Sequence, residues 1–544
     1  MDINEKNIIF GGEQKTDLVK FFGSLGNYLL YELSRNKDKV AIIEGETGKE
    51  ITYGEIKEKA LNLAKFFSEN GVKSGDVIGI CSENCNEFIF TVYGAIFAGV
   101  TVAPINFSYT EDEFKHAFQL IKPKVVFATR FNIKKIINIV KECPSIEMII
   151  QYGWPVGLKE ISYFYEINRN QRKDLKSNEE FVNPSENLDR NAVIVLSSGT
   201  TGLPKGVQIT ERNFLGLFTQ NIDGKALNGN DECVMSCLPW FHIYGLIGII
   251  STATLRIVLV YLPRFEDHIF LSCIEKYNVK STFLVPPLMV FLAKHPLVDK
   301  YNLSSLYEVH CGAAPLSKKV EDAVMARIPN VKIIRQGYGL SETTAGVLIM
   351  PKDRYKTGSV GTVVIGTYCK VVDPETGEIL GPNQSGELCF KGPQIMRGYI
   401  GNDAATKDTM DKDGWLHTGD VGYYDEDKFF FIVDRLKELI KYKGFQVPPA
   451  ELEALLVAHP KVLDAAVIGL PDDAAGELPL AFVVKKPNTD VTEKEIKDYI
   501  ASKVTNYKQL RGGVRFIDEI PKNPSGKILR RELRDKLNQT RSKL

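Results

Sequence analysis

The sequence predicts a mixed α/β protein in two unequal parts. A large N-terminal α/β unit, made of two α/β halves and a small antiparallel barrel or sheet, precedes a small α+β unit. Three observations predict it. A chain of 544 residues is too long for one hydrophobic core. From Thr52 to Arg335, helical and strand-like apolar patterns alternate, as in parallel sheets wrapped by helices. From Gly358 to Tyr399 short β-type runs stand between Gly-rich turns, and the block after Asp434, about 110 residues, has the size of a small domain. The expected boundaries are therefore 1–434 and 435–544.

The elements follow in order. Glu55 to Asn70 carries Ile56, Ala60, Leu63, Ala64 and Phe67 at helical spacing. Val77 to Ile80 is a short buried strand, Phe88 to Ala98 an apolar helix, and Val100 to Ala103 a strand closed by Pro104. Thr110 with Glu113 makes a capping box for the next helix, and Lys124 to Ala128 is another strand. Residues 159–188 are polar and charged and read as a linker or surface excursion. Ala192 to Leu196 is a buried strand. Ile243 to Leu262, the longest apolar window, contains Arg256 and reads as a buried helix, a break near Leu255, then a strand, not a membrane span. Further strands are expected at Ile257 to Leu262, Ser281 to Val285, Tyr307 to His310 and Lys332 to Arg335, with helices at Phe265 to Tyr277 and Ser317 to Ile328. In the Gly-rich segment the strands are Val363 to Ile365, Cys369 to Val372 and Glu387 to Phe390. The last block reads as helices at Ala450 to Ala458 and Thr492 to Val504, and strands at Ala465 to Ile468, Ala481 to Val484 and Val514 to Ile517.

The totals narrow the function. Lys+Arg and Asp+Glu are both 68, so no net charge points to nucleic acid or an anionic membrane. The nine cysteines are scattered, and the i, i+4 pairs Cys81/Cys85 and Cys233/Cys237 have no nearby histidine partner set, so they read as small buried residues of a reducing compartment rather than as zinc ligands or disulfides. The N-terminus shows no basic and apolar signal pattern, and Ser542-Lys543-Leu544 matches the address read by the peroxisomal import receptor.

One stretch carries chemistry on its face. SSGTTGLPKG, Ser197 to Gly206, follows a buried strand and combines glycines, hydroxyls and a lysine, the means by which a loop holds a phosphate chain. It departs from the P-loop, because Pro204 replaces the second glycine and Gly206 the Mg²⁺-binding hydroxyl. QGYGLSET (Gln336 to Thr343), HTGD (His417 to Asp420), DRLKELIKYKG (Asp434 to Gly444) and NPSGKILRR (Asn523 to Arg531) are each weak alone, since capped turns and solvated charged faces look alike.

Together and in this order, these stretches strongly resemble the adenylate-forming acyl-CoA ligase superfamily, which includes 4-coumarate–CoA ligases, fatty acyl-CoA synthetases and beetle luciferases. The resemblance runs from about Thr52 to the C-terminus. It is nearest to insect luciferase-like acyl-CoA ligases in WLHTGD, FIVDR, ELIKYKG, PPAELEALL, AGELPLAFVV and LRGGVRF. It implies a C-terminal domain that acts as a mobile lid and a two-step reaction. A carboxylate attacks the α-phosphate of ATP to give acyl-AMP and pyrophosphate, and CoA thiol then displaces AMP. It implies roles for individual residues as well. Ser197, Ser198, Gly199, Thr200, Thr201, Gly202 and Lys205 would hold the β- and γ-phosphates. Glu342 would hold Mg²⁺, with Ser341 at a phosphate position. Gly312, Ala313, Ala314, Pro315, Gln336, Gly337, Tyr338 and Gly339 would line the adenine slot, with Tyr338 on the base. Asp420, assisted by Arg435, would accept from the ribose hydroxyls. Lys527 would meet the α-phosphate and the substrate carboxylate. Rotation at the hinge Asp434 would withdraw Lys527 and bring in Lys443 and Gly444 for the CoA step. His242 would lie between acid and adenylate.

The acid is read from departures. Luciferases usually carry a serine where this chain has Ala345, and an arginine where it has Leu217. With Leu246, Ala313 and Val347 these positions suggest an apolar tunnel for a medium- or long-chain fatty acid, in which each buried methylene contributes about 0.8 kcal/mol. A luciferase, adenylating luciferin and oxidising it with O₂, is the rival on the same scaffold. A binding protein that senses acyl chains or AMP without turnover is the rival from another class. The intact Lys527, Glu342, Asp420 and Lys443 stand against the sensor.

Overall fold

The computed structural model describes residues 7–541 except 156, 158–160, 170–176, 183–186, 198–203, 225–231, 444, 473 and 524–525. Two large sheets form its centre. In the first, the strands Asn191–Ser197, Thr101–Ile105, Val77–Cys81, Val125–Ala128, Met148–Gln151 and Ser162–Tyr163 run parallel in that spatial order. Lys205–Thr210 adds to Asn191–Ser197 as an antiparallel neighbour, with Lys205 opposite Ser197. In the second sheet, Ile333–Leu340, Glu308–Cys311, Ser281–Leu284, Cys233–Ser236, Val258–Tyr261 and Val40–Glu44 are parallel.

Why two sheets share one molecule is visible along each strand. Side chains alternate between faces. Val102, Val193, Val195, Leu259 and Tyr261 join a single buried cluster between the sheets. Their neighbours Ala103 and Ile194 join a second cluster on the outer face of the first sheet, and Val260 joins a third outside the second sheet. Both faces of each parallel sheet are thus covered, which explains strands that are apolar at nearly every position. The central cluster also takes in the helices Leu25–Arg35, Tyr53–Glu69, Asn86–Ala98, Glu211–Gly224 and Ile243–Leu255. Gly94 lets two of these helices cross closely. A Cβ there would stand 2.7 Å from Leu63 Cβ and 2.9 Å from the Ala60 carbonyl oxygen.

Several expected elements appear within a residue or two, including the capping box at Thr110 and Glu113. The break near Leu255 is Arg256, in left-handed backbone at φ 55°, followed by the strand Val258–Tyr261. No helix among the described residues is long and apolar enough to cross a membrane. Pro104 does not close its strand. It lies inside Thr101–Ile105 opposite Ile80, while the other side of that strand is registered to Asn191–Ser197 only at Val102↔Val193, so the missing N–H breaks no ladder there. The run at Val363 also differs. Thr362–Val363 pairs with Ala345–Ile349 and extends the second large sheet. The Gly-rich segment supplies the middle of a third, open antiparallel sheet, in the order Ile9–Phe10, Tyr368–Val372, Gly386–Lys391, Leu416–Tyr424 and Phe430–Arg435.

The C-terminal unit packs the helices Pro449–Val457 and Glu493–Ala501 on a sheet dominated by the antiparallel pair Val462–Asp472 and Gly476–Lys485. Gly513–Phe516 adds to it in parallel. Asp434, the residue before the end of the last strand of the third sheet, is buried. Its carboxylate accepts the Arg435 N–H at 2.7 Å and the Ala450 N–H at 2.8 Å, the latter at the start of the helix Pro449–Val457. A negative group at a helix N-terminus satisfies a free donor and complements the dipole. The expected hinge residue is therefore bonded to the domain it would release.

Candidate active site

A cavity of about 610 Å³ opens between the ends of the second sheet, the third sheet and the C-terminal domain. One arm of it is mostly apolar. The helix Ile243–Leu255 gives Tyr244, Ile247, Gly248 and Ser251, a spacing that puts all four on one helical face. Leu217, Ile257, Leu259 and Phe283 complete the wall. A Cβ at Gly248 would meet nothing within 4 Å, so this glycine leaves open space in the arm. Leu246 and Val347, expected here, are fully buried in the central cluster and do not line the cavity. Leu246 lies two residues from Tyr244, on the opposite helical face.

The far part of the arm is less apolar than expected. His310 stacks on Phe283 at 4.7 Å, with Nε2 3.3 Å from Glu308 Oε1. Burial pushes the His310 imidazole down to about 4, so it is neutral at physiological pH. Arg335 forms an ion pair with Glu308 and donates to the Met350 carbonyl at 2.7 Å. Ser251 Oγ is buried without a hydrogen-bond partner among the described residues. His242 lines the cavity as expected, and burial holds it at about 4 as a neutral ring.

The other arm is polar. Ser197 and Lys205 reach it from paired strands, but Ser198, Gly199, Thr200, Thr201 and Gly202 lie outside the described residues. Lys205 Nζ stands 4.7 Å over the ring of Tyr399, whose hydroxyl donates to Glu342 Oε1 at 2.8 Å. Tyr399, to which the sequence gives no role, thus links Lys205 to the expected Mg²⁺ ligand. Glu342 fits that ion: Mg²⁺ is held by one or two carboxylates plus substrate phosphates, and Glu342 projects into the cavity beside Ser341.

Gly312, Ala313, Gln336, Gly337, Tyr338 and Gly339 line the cavity, whereas Ala314 and Pro315 are not on its wall. The Gln336 side chain turns away, donating to Glu321 Oε1 at 2.8 Å, so this position serves the slot through its backbone. Ala313 at φ 71° and Ala345 at φ 76° both hold left-handed backbone on the wall. Strain of this kind gathers at functional sites. Behind the wall Asp420 is buried, taking the Tyr338 hydroxyl at 2.7 Å and Arg435 Nε at 3.1 Å. Asp420 and Arg435 face each other across paired strands.

Lys527 enters from the C-terminal domain. Its turn is closed by three bonds: Asn523 N–H to the Lys527 carbonyl, Gly526 N–H to the Asn523 carbonyl, and Lys527 N–H to Asn523 Oδ1. Gly526 has φ +81° and lies against Pro287 of the large domain. Burial is the main cause that lowers the Lys527 ammonium from 10.5 to about 8. Arg435 adds to the effect and Asp420 opposes it. Lys443 is elsewhere: exposed, at φ 47°, its N–H bonded to the Ala475 carbonyl and its ammonium over Tyr442. Gly444, Pro524, Ser525 and Ser542-Lys543-Leu544 lie outside the described residues. In this arrangement Lys527 lines the cavity and Lys443 does not.

The cavity combines one apolar arm, one polar arm and a lysine carried by a second domain, an arrangement suited to joining an acid to a nucleotide. Comparison with known proteins agrees. The family model for AMP-binding enzyme matches residues 31–400, and that for the AMP-binding enzyme C-terminal domain matches residues 451–527. The chain belongs to the AMP-binding enzymes, the adenylate-forming superfamily. The class of chemistry that comes with it is that of an AMP-forming acid–thiol ligase.

The chain is 45% identical over 503 residues to luciferin 4-monooxygenase of Photinus pyralis, covering 91% of this chain and 90% of the relative. It is 40% identical over 523 residues to a probable 4-coumarate–CoA ligase of Dictyostelium discoideum, covering 93% and 94%. The crystal structure of ATP-bound MatB from Rhodopseudomonas palustris superposes with a TM-score of 0.83 at 26% identity, covering 93% of this chain and 98% of that one.

Proposed function

We propose that this chain is an ATP-dependent acyl-CoA ligase whose acid is a medium- or long-chain fatty acid. The observation that carries the reading is the placement of Lys527 on the cavity wall while Lys443 stands outside it. In the first step two anions must meet, so positioning and positive charge are the main needs. Lys527 supplies charge where the acid's carboxylate and the α-phosphate converge. Lys205 lies at the phosphate end, and Arg435 holds Asp420 in place for the ribose. Glu342 would hold Mg²⁺, which neutralises phosphate charge when bound. Neutral His242 can sit beside the carboxylate without competing for it as a cation. The second step then requires the lid to turn at Asp434 and present Lys443 to the CoA thiol.

The apolar arm supports a fatty acid, and Leu217 and Ala345 remove polar groups that would order a polar bicyclic acid. The likeness to luciferin 4-monooxygenase supports a second reading, light emission with luciferin. Pyrophosphate release across fatty acids of graded length, with and without CoA, tests both. CoA-dependent turnover supports the ligase. Light with luciferin and oxygen, and no turnover of any fatty acid, replaces it with the luciferase. We propose peroxisomal import through Ser542-Lys543-Leu544, which a fluorescent fusion with and without that tripeptide tests.

A further inference from the structure

We propose that Glu387, Cys389 and His417 form a binding site for a divalent transition metal of the zinc class, beside the nucleotide arm of the cavity. The strand Gly386–Lys391 supplies the first two residues. His417 lies on the adjacent strand Leu416–Tyr424, directly opposite Cys389. The register slips between Glu387 and Cys389, and the bulge this leaves in the partner strand carries Thr418, Gly419 and Asp420. Glu387 Oε2 is 2.8 Å from His417 Nδ1, and Cys389 Sγ is 3.4 Å from the same nitrogen. The carboxylate, imidazole and sulfur ligand atoms all lie within 4.8 Å of one another.

These are the three ligand types zinc takes, and tetrahedral bonds of about 2.0–2.3 Å separate ligand atoms by only about 3–4 Å. The oxygen and the sulfur both turn to a single ring nitrogen, which has at most one proton to offer them. A metal ion at that point engages all three. The surroundings suit it as well. The other ring nitrogen, Nε2, faces Asp411 Oδ2 at 3.7 Å, the carboxylate–imidazole order that orients metal-bound histidines. Glu387 Oε1 is occupied by the Gly419 N–H at 2.8 Å, which leaves Oε2 for the ion. Glu387 and His417 line the cavity, so a fourth position opens to it. On binding, two bonds break, the S–H and the Nδ1–H that faces Glu387: the thiol proton leaves to solvent, the Nδ1 proton leaves to solvent from an imidazolium or passes to Nε2 in a neutral ring, and the imidazole keeps one proton on Nε2 toward Asp411.

The test is a titration of the full-length, metal-free protein with Co²⁺, whose thiolate complexes give a ligand-to-metal charge-transfer band. The expected result is saturation at one equivalent, with a charge-transfer band that Zn²⁺ abolishes by displacement. Cys389→Ser loses the band, and His417→Gln, which keeps the thiol, weakens Co²⁺ binding at least tenfold, with thermal unfolding used to confirm that each variant is folded. A band that persists in Cys389→Ser belongs to another cysteine and overturns the proposal. So does the absence of saturable binding to the unaltered protein, or unchanged affinity in folded His417→Gln. None of these outcomes depends on which acid the enzyme activates.

Discussion

Replacing Lys527 by alanine removes the ammonium that the C-terminal turn carries into the cavity. The ligand-free site holds this group at about 8 instead of 10.5, chiefly through loss of hydration. That displacement corresponds to about 3 kcal/mol of environment unfavourable to the charge. An acid carboxylate and a triphosphate arriving beside it restore the missing counter-charge. Alanine is expected to slow acyl-adenylate formation by roughly a few hundred-fold, the range seen when one preorganised electrostatic partner is deleted. Pyrophosphate release from acid and ATP without CoA measures this step alone. Thioester formation from preformed acyl-AMP and CoA measures the other and should stay within about threefold, because the proposed lid rotation would turn Lys527 away for it. The pH dependence has a fixed sign. The ammonium is lost as pH rises through about 8, so kcat/KM for adenylation falls above that value. In Lys527→Arg the falling limb moves upward, since a guanidinium stays charged. Equal losses in both half-reactions of Lys527→Ala, or adenylation reduced less than about fivefold, would refute the reasoning.

Lys443→Ala should show the opposite split: thioester formation from acyl-AMP falls about 100-fold while pyrophosphate release in the absence of CoA is preserved. Gly248→Leu fills open space in the apolar arm. At about 0.8 kcal/mol per methylene, its four carbons should shorten the preferred acid by about three or four carbons and lower kcat/KM for longer acids by about 100-fold. An unchanged length profile would mean that the acid lies elsewhere. Asp434→Ala leaves the Ala450 N–H without its carboxylate, at a cost of about 1 kcal/mol. The Ala450 amide should exchange with solvent several-fold faster, while the amides of Leu416–Tyr424 keep their protection.

Much of this was readable from sequence where the local pattern and the final environment agree. The strand–helix alternation after Val77 is one case, because both faces of each parallel strand are covered and the apolar runs are unbroken. The break at Arg256 is another, where one charged residue interrupts an apolar window and takes the left-handed turn itself. Other features are decided by tertiary context. The strand Val40–Glu44 joins the second sheet beside Val258–Tyr261, far off in sequence, and its short apolar run, Val40 to Ile43, does not name that partner. Pro104 reads as a terminator, yet its missing N–H falls where no partner needs it. Lys527, Glu342 and Arg435, singled out by long motifs, all reach the cavity wall. The tunnel wall was misread at Leu246 because hydrophobicity alone does not say which helical face meets the cavity. The spacing of Tyr244, Ile247, Gly248 and Ser251 carried that information, and Gly248, the residue that makes room, contributes no side chain to notice. Tyr399, which links Lys205 to Glu342, had no signal beyond its place in a Gly-rich stretch.

The helix Ile243–Leu255 serves two masters. Its Gly248 face bounds the apolar arm, and its Leu246, Ile249, Ile250 and Ala253 face is embedded in the cluster that both large sheets share. Two deep tyrosines also grip its backbone: Tyr93 Oη donates to the Ile249 and Ile250 carbonyls, and Tyr53 Oη to that of Thr252 as well as to that of Ile257, just beyond the helix. A bulkier guest cannot shoulder this helix aside without unseating the scaffold around it. Breadth of substrate choice must then come from exchanging the atoms that clothe the wall, one volume for another, while the wall stays fixed.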